Sequence, residues 1–104
     1  MDKRLRKTIW NAPANQALIL AISKLKNKRE IQNYLRDLLT ESEIKEFSAR
    51  WQAARMLDRN VPYTKIVKDT GLSSTTVARV QRWLQHGTNG YRLMIDRLNR
   101  KKLL

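Results

Sequence analysis

Between residues 63 and 85 apolar side chains recur every three or four positions, and the pattern breaks once, at Gly71-Leu72. That spacing is one face of an α-helix, and a glycine between two such runs predicts two short helices meeting at a tight turn. Ile66, Val67 and Thr70 put one side of the first helix inward, Leu72 plugs the angle, and Val77, Val80 and Leu84 hold the second helix against the first. Gly71 permits the positive φ of the turn, which any Cβ would penalise. With those positions buried, Ser73, Ser74, Thr75, Ala78, Arg79 and Arg82 are left to project outward.

The rest of the chain carries the same period. Pro13 suits a first helical turn, where its missing N–H costs nothing, and Ala17, Leu18, Ala21, Ile22 and Leu25 form one face that ends in the basic stretch 24–29. Ile31, Tyr34, Leu35 and Leu38 mark a second helix. Thr40-Glu41-Ser42-Glu43 has the form of a capping box, and Glu41, Glu43 and Glu46 complement the dipole of a third helix, whose stripe is Ile44, Phe47, Trp51, Ala54 and Leu57. Asn60-Val61-Pro62 stops it. Helices over 63–70, 74–85 and 89–103 follow, with Gly87 expected to supply a left-handed residue after the second. No run shows sustained period-2 alternation. The expectation is an all-α chain of six helices: a basic arm over 1–12, then one domain over 13–104 with a helix-turn-helix at about 63–85.

Composition limits the chemistry. The 104 residues hold no Cys, one His and three Gly, which excludes thiolate metal sites and thiol nucleophiles and argues against a His-rich centre or a Gly-rich phosphate loop. No catalytic residue, metal or cofactor is expected. His86 has no partner for catalysis and suits the negative end of a helix. Trp10, Trp51 and Trp83 read as core or interface residues, Trp83 with the alternative of flanking a nucleic acid. The longest apolar run, 17–22, falls well short of the roughly 20 residues a membrane span needs, and no small-residue cleavage site follows it, so the cytoplasm is expected. A domain this size buries only about 60–70% of its unfolded surface, and dimerisation is a common way to add core.

Charge singles out one face. Lys+Arg number 22 against 9 Asp+Glu, a net +13, and after Asp69 the only acid is Asp96, against Arg79, Arg82, Arg92, Arg97, Arg100, Lys101 and Lys102. Short hydroxyl and methyl groups at a helix start let backbone approach a DNA groove; Thr and Ala suit a thymine methyl, and Arg pairs with guanine or phosphate. Tyr63, Thr64, Lys65 and Lys68 would seat this head on the backbone, and the 24–29 stretch would coat a solvated end or touch flanking phosphates. The expected partner is double-stranded DNA, with no membrane; the alternative is a basic helical module that binds a protein or structured RNA.

From Asp37 to about Leu98 the chain resembles the Trp repressor superfamily, through Leu38-Leu39-Thr40-Glu41-Ser42-Glu43, Arg50, and Gly71-Leu72-Ser73-Ser74-Thr75-Thr76-Val77-Ala78-Arg79. Arg79-Val80-Gln81-Arg82-Trp83-Leu84 and Gly90-Tyr91-Arg92-Leu93-Met94 look more like the YerC/YecD branch of Trp repressor-like proteins. The resemblance implies a six-helix protomer intertwined with a second copy as a homodimer, and a transcriptional repressor on a pseudo-palindromic operator. Thr40, Arg50, Thr76, Arg79 and Val80 fall at the repressor's ligand pocket. Val80 replaces a glycine that faces the indole ring, and Trp51 replaces a smaller apolar residue. These side chains would fill the cavity, so L-tryptophan is not expected as corepressor, and the pocket reads as vestigial. Arg50 has a plainer expected role, in an ion pair with Glu46 or Asp58 or simply exposed to solvent.

Overall fold

The computed structural model describes residues 8–103, and every regular element in them is helical. Among the described residues there are seven helices: α1 (Thr8–Asn11), α2 (Pro13–Ser23), α3 (Lys28–Leu38), α4 (Glu41–Asp58), α5 (Tyr63–Thr70), α6 (Ser74–His86) and α7 (Gly90–Leu103). The extra element is α1, within the stretch expected to be an arm. Asn15 and Gln16 donate side-chain amide hydrogens to the carbonyls of Ile9 and Trp10, and these bonds tie the short turn to α2. The remainder of the arm, 1–7, lies outside the described residues.

Contacts divide the chain into two compact units, 1–40 and 41–104, where the sequence predicts one domain over 13–104. In the first, Pro13 opens α2 as expected. The basic stretch 24–29 is split: Lys24 caps α2, while Lys28 and Arg29 already belong to α3. The split follows from Asn27, whose side chain accepts from the Glu30 N–H at 3.0 Å while the Glu30 carboxylate accepts from the Lys26 N–H at 2.9 Å. This reciprocal capping sets the helix start. Among the described residues of this unit no side chain is fully buried.

The second unit has a core. Ala53, Ala54, Met56 and Leu57 of α4, Ile66 of α5, Val77, Val80 and Leu84 of α6, and Ile95 of α7 form a single buried cluster, with Val61, Val67 and Leu72 packed against it. Two fully buried alanines on α4 remove side-chain bulk where α5 and α6 pack against it. Phe47, expected in the apolar stripe of α4, is instead 47% exposed. At the end of α4 Asn60 takes φ 62°; its N–H donates to the Leu57 carbonyl and that of Val61 to Met56. This is a Schellman ending, with apolar contact between Val61 and the last turn, and Pro62 then forbids continuation.

Candidate nucleic-acid interface

The turn between α5 and α6 is built as its sequence demands. Gly71 sits at φ 76° and donates its N–H to the Val67 carbonyl at 3.0 Å. A Cβ there would meet nothing within 4 Å, so the requirement is conformational rather than spatial. The Thr70 hydroxyl donates to the Ile66 carbonyl at 2.7 Å and accepts from the Leu72 N–H at 3.2 Å, which fixes the chain direction into the next helix. Ser73 then caps α6, its Oγ accepting from the Thr76 N–H at 3.1 Å and donating to Thr76 Oγ1 at 3.0 Å. Ser73 is exposed as expected, but its hydroxyl is committed to starting the helix.

Val77, Val80 and Leu84 bury one face of α6, which leaves Ser74, Thr75, Ala78, Arg79 and Arg82 in solvent. Tyr63, Thr64, Lys65 and Lys68 of α5 are exposed too. All ten expected contact residues therefore lie on the surface of the helix-turn-helix. Lys65 is held by Asp69 at 3.0 Å, an exposed i,i+4 pair worth about 0.3–0.5 kcal/mol and easily exchanged for another anion. Arg79 and Arg82 have no side-chain partner among the described residues. The first N–H groups of α6, at Ser74 and Thr75, have no carbonyl inside the helix to bond, which adds partial positive charge at the tip.

The five residues read as a vestigial pocket have dissimilar surroundings. Thr40 is exposed at the end of the first unit, immediately before α4, where a capping box needs it. In the second unit Val80 is buried at 3% exposure, Thr76 is half-buried and engaged with Ser73, and Arg79 faces solvent. Arg50 pairs with Glu46 at 3.5 Å and lies 5.7 Å from the Phe47 ring centroid, a cation–π distance. Asp58, its other expected partner, is taken by Arg92 at 2.6 Å. That bridge joins α4 to α7 and raises the Arg92 pKa, chiefly through the hydrogen bond that the guanidinium donates to Asp58. Trp51 stacks on Tyr91 at 6.2 Å and 23°; burial raises the Tyr91 pKa, partly countered by the charge of Arg50.

Gly87 corrects an expectation. Its φ is −83°, not left-handed, and the positive φ belongs to Asn89 at 75°. Glycine is required at 87 for space: a Cβ would collide with the Trp83 carbonyl oxygen and come within 2.7 Å of Trp83 Cε3. Trp83 is 54% exposed, so its indole is laid along the last turn of α6 rather than buried. No sequence signal distinguishes a glycine kept for space from one kept for φ.

No helix among the described residues is long and apolar enough to cross a membrane, and no group of His, Cys, Asp and Glu among them is placed to hold a metal ion.

The Trp repressor protein family model matches residues 14–99. The chain is 37% identical over 81 residues to the uncharacterized protein YerC of Bacillus subtilis strain 168, a match covering 78% of each chain. Two solved structures are similar at 34% identity. One is a candidate Trp repressor from Staphylococcus aureus, with TM-score 0.81 over 89% of this chain and 93% of that one. The other is a TrpR-like protein from Eubacterium eligens, with TM-score 0.82 over 88% and 95%. The helix-turn-helix derived from Gly71 and its flanking apolar sets thus sits in a known frame: the chain belongs to the Trp repressor family, in its YerC-like branch.

Proposed function

We propose that this protein is a cytoplasmic, sequence-specific DNA-binding transcriptional repressor that grips a pseudo-palindromic operator as a homodimer. The observation that carries the reading is the division of α6 into two faces. Val77, Val80 and Leu84 are locked in the core, so Ser74, Thr75, Ala78, Arg79 and Arg82 present hydroxyls, a methyl and two guanidiniums outward. This set suits base edges at the tip and phosphates beyond it. Family membership supports the same role. The role is binding rather than catalysis.

Exposed apolar side chains support the homodimer. Ile19, Leu20, Phe47, Leu93 and Met94 are 40–60% exposed in the single chain, and a second copy is the partner this reading gives them. A two-fold dimer places its two reading heads on half-sites about one helical turn apart. Selection of duplexes from a random library by the full chain tests binding, palindromy and spacing together; recovery of no enriched sequence refutes the reading. If six to ten phosphates are neutralised, log K falls with log salt at a slope of about −5 to −9, and a flat response refutes the electrostatic part.

Repression on this reading does not use L-tryptophan. Val80 contributes an isopropyl group to the buried cluster, and forcing a ring against a packed side chain costs about 1–3 kcal/mol or more. Calorimetry is expected to show no saturable binding of L-tryptophan at micromolar concentration, and such binding overturns this part of the proposal.

A further inference from the structure

His86 is the last residue of α6, and the contacts assigned to the helix-turn-helix give it no task beyond meeting the negative helix end. Its position on the helix says more. Thr75, Arg79, Arg82 and His86 follow one another at intervals of four, three and four, so they share one stripe, opposite the buried Val77, Val80 and Leu84. All four are exposed, and Arg79, Arg82 and His86 have no hydrogen-bond or ion-pair partner among the described residues. Complementing the helix dipole accounts for a cation only in the last turn, so it leaves Arg79 and Arg82 unexplained.

Length decides what the far end of the stripe meets. The rise from Thr75 to His86 is about 16 Å at 1.5 Å per residue, whereas the major groove is about 12 Å wide and 8.5 Å deep. A helix whose tip rests on base edges therefore carries its far end out to the rim, where the phosphates lie. We infer that the stripe is graded, with Thr75 at the bases and His86, beside Arg82, donating an imidazole N–H to a phosphate at the rim of the groove. This assignment rests on the DNA-binding reading and extends the contact surface by one residue beyond those already named.

The test uses the full chain, a selected operator duplex and a random duplex of equal length, with binding measured across a salt series. A lost hydrogen bond to phosphate predicts that His86→Ala weakens both duplexes alike, by about 2- to 10-fold, with their affinity ratio unchanged, since backbone contacts carry no sequence information. His86→Lys, which supplies a permanent cation, is expected to restore affinity and steepen the salt slope by about one unit. Thermal unfolding of each variant, run alongside, separates a helix-end effect on folding from an effect on binding. Wild-type affinity for both duplexes in His86→Ala overturns the inference, as does a change in the affinity ratio, which marks a base contact instead. Failure of the unaltered protein to bind either duplex is a different result and overturns the DNA-binding reading itself.

Discussion

Gly71 and Gly87 flank α6, and the same substitution at each is expected to fail for opposite reasons. At Gly71 the space is open, with no atom within 4 Å of an added methyl carbon, but φ is 76°. Alanine in the left-handed region costs about 1–2 kcal/mol, offset by about 0.4–1 kcal/mol from the narrower unfolded ensemble, so Gly71→Ala is expected to lose about 1 kcal/mol net. Asparagine tolerates this conformation, and Gly71→Asn should recover most of the loss. At Gly87 φ is ordinary, but the added carbon strikes the Trp83 carbonyl, which already accepts the Gly87 N–H at 2.9 Å, and the Trp83 ring. Relief requires opening the helix end or moving the indole, at a cost of about 1–3 kcal/mol. Asparagine is no remedy there, whereas Trp83→Leu in the Gly87→Ala background relieves the ring contact but not the carbonyl one. Thermal unfolding at fixed protomer concentration resolves these effects, since about 1 kcal/mol moves the midpoint by about 4–8 °C in a domain of 60–100 residues. Tryptophan emission should shift for Gly87→Ala and stay constant for Gly71→Ala. A Gly71→Asn variant no better than Gly71→Ala refutes this reasoning, and so does a Gly87→Ala variant within the roughly 0.5 kcal/mol of a neutral surface change.

Two further outcomes follow from the α4–α7 contact. A double-mutant cycle on Asp58→Asn and Arg92→Gln should return a coupling of about 0.5–1 kcal/mol that shrinks as salt rises, because Arg92 is 40% exposed and solvent screens the pair; zero coupling at low salt contradicts the bridge. Burial raises the Tyr91 pKa above its ordinary value of 10.0, so its neutral form is the one the fold favours. That contribution is complete below the unfolded tyrosine range and is lost as pH climbs through the raised folded value. An ultraviolet titration should therefore show one phenol ionising late, and Tyr91→Phe should remove it; a late phenol that survives the substitution assigns the shift elsewhere.

Much of the second unit is legible in the sequence because each local rule there agrees with the packing. The three- and four-residue spacing around Ile66, Val77 and Leu84 names residues that are buried, and Gly71 has the φ its turn requires. Where local rules compete, the sequence is less legible. Ser73 is outward-facing and is also the helix cap. Phe47 keeps the apolar period yet lies in solvent beside Arg50. Gly87 answers to the shape of Trp83, a neighbour one helical turn away, and not to its own dihedral angles. Asn27 and Glu30 carry a capping signal that the surrounding lysines and arginines mask. The apolar faces of α2 and α3 have helical spacing but fully bury no side chain in the single chain, because period alone records that a face is apolar without recording what covers it.

The proposed role of α6 is to read duplex DNA through its outward face. Its most direct test is a competition experiment, with the full-length protein bound to a library-selected operator and challenged by random duplex at fixed salt. The operator is expected to win by about 10³-fold or more; equal competition by the two duplexes would contradict the claim.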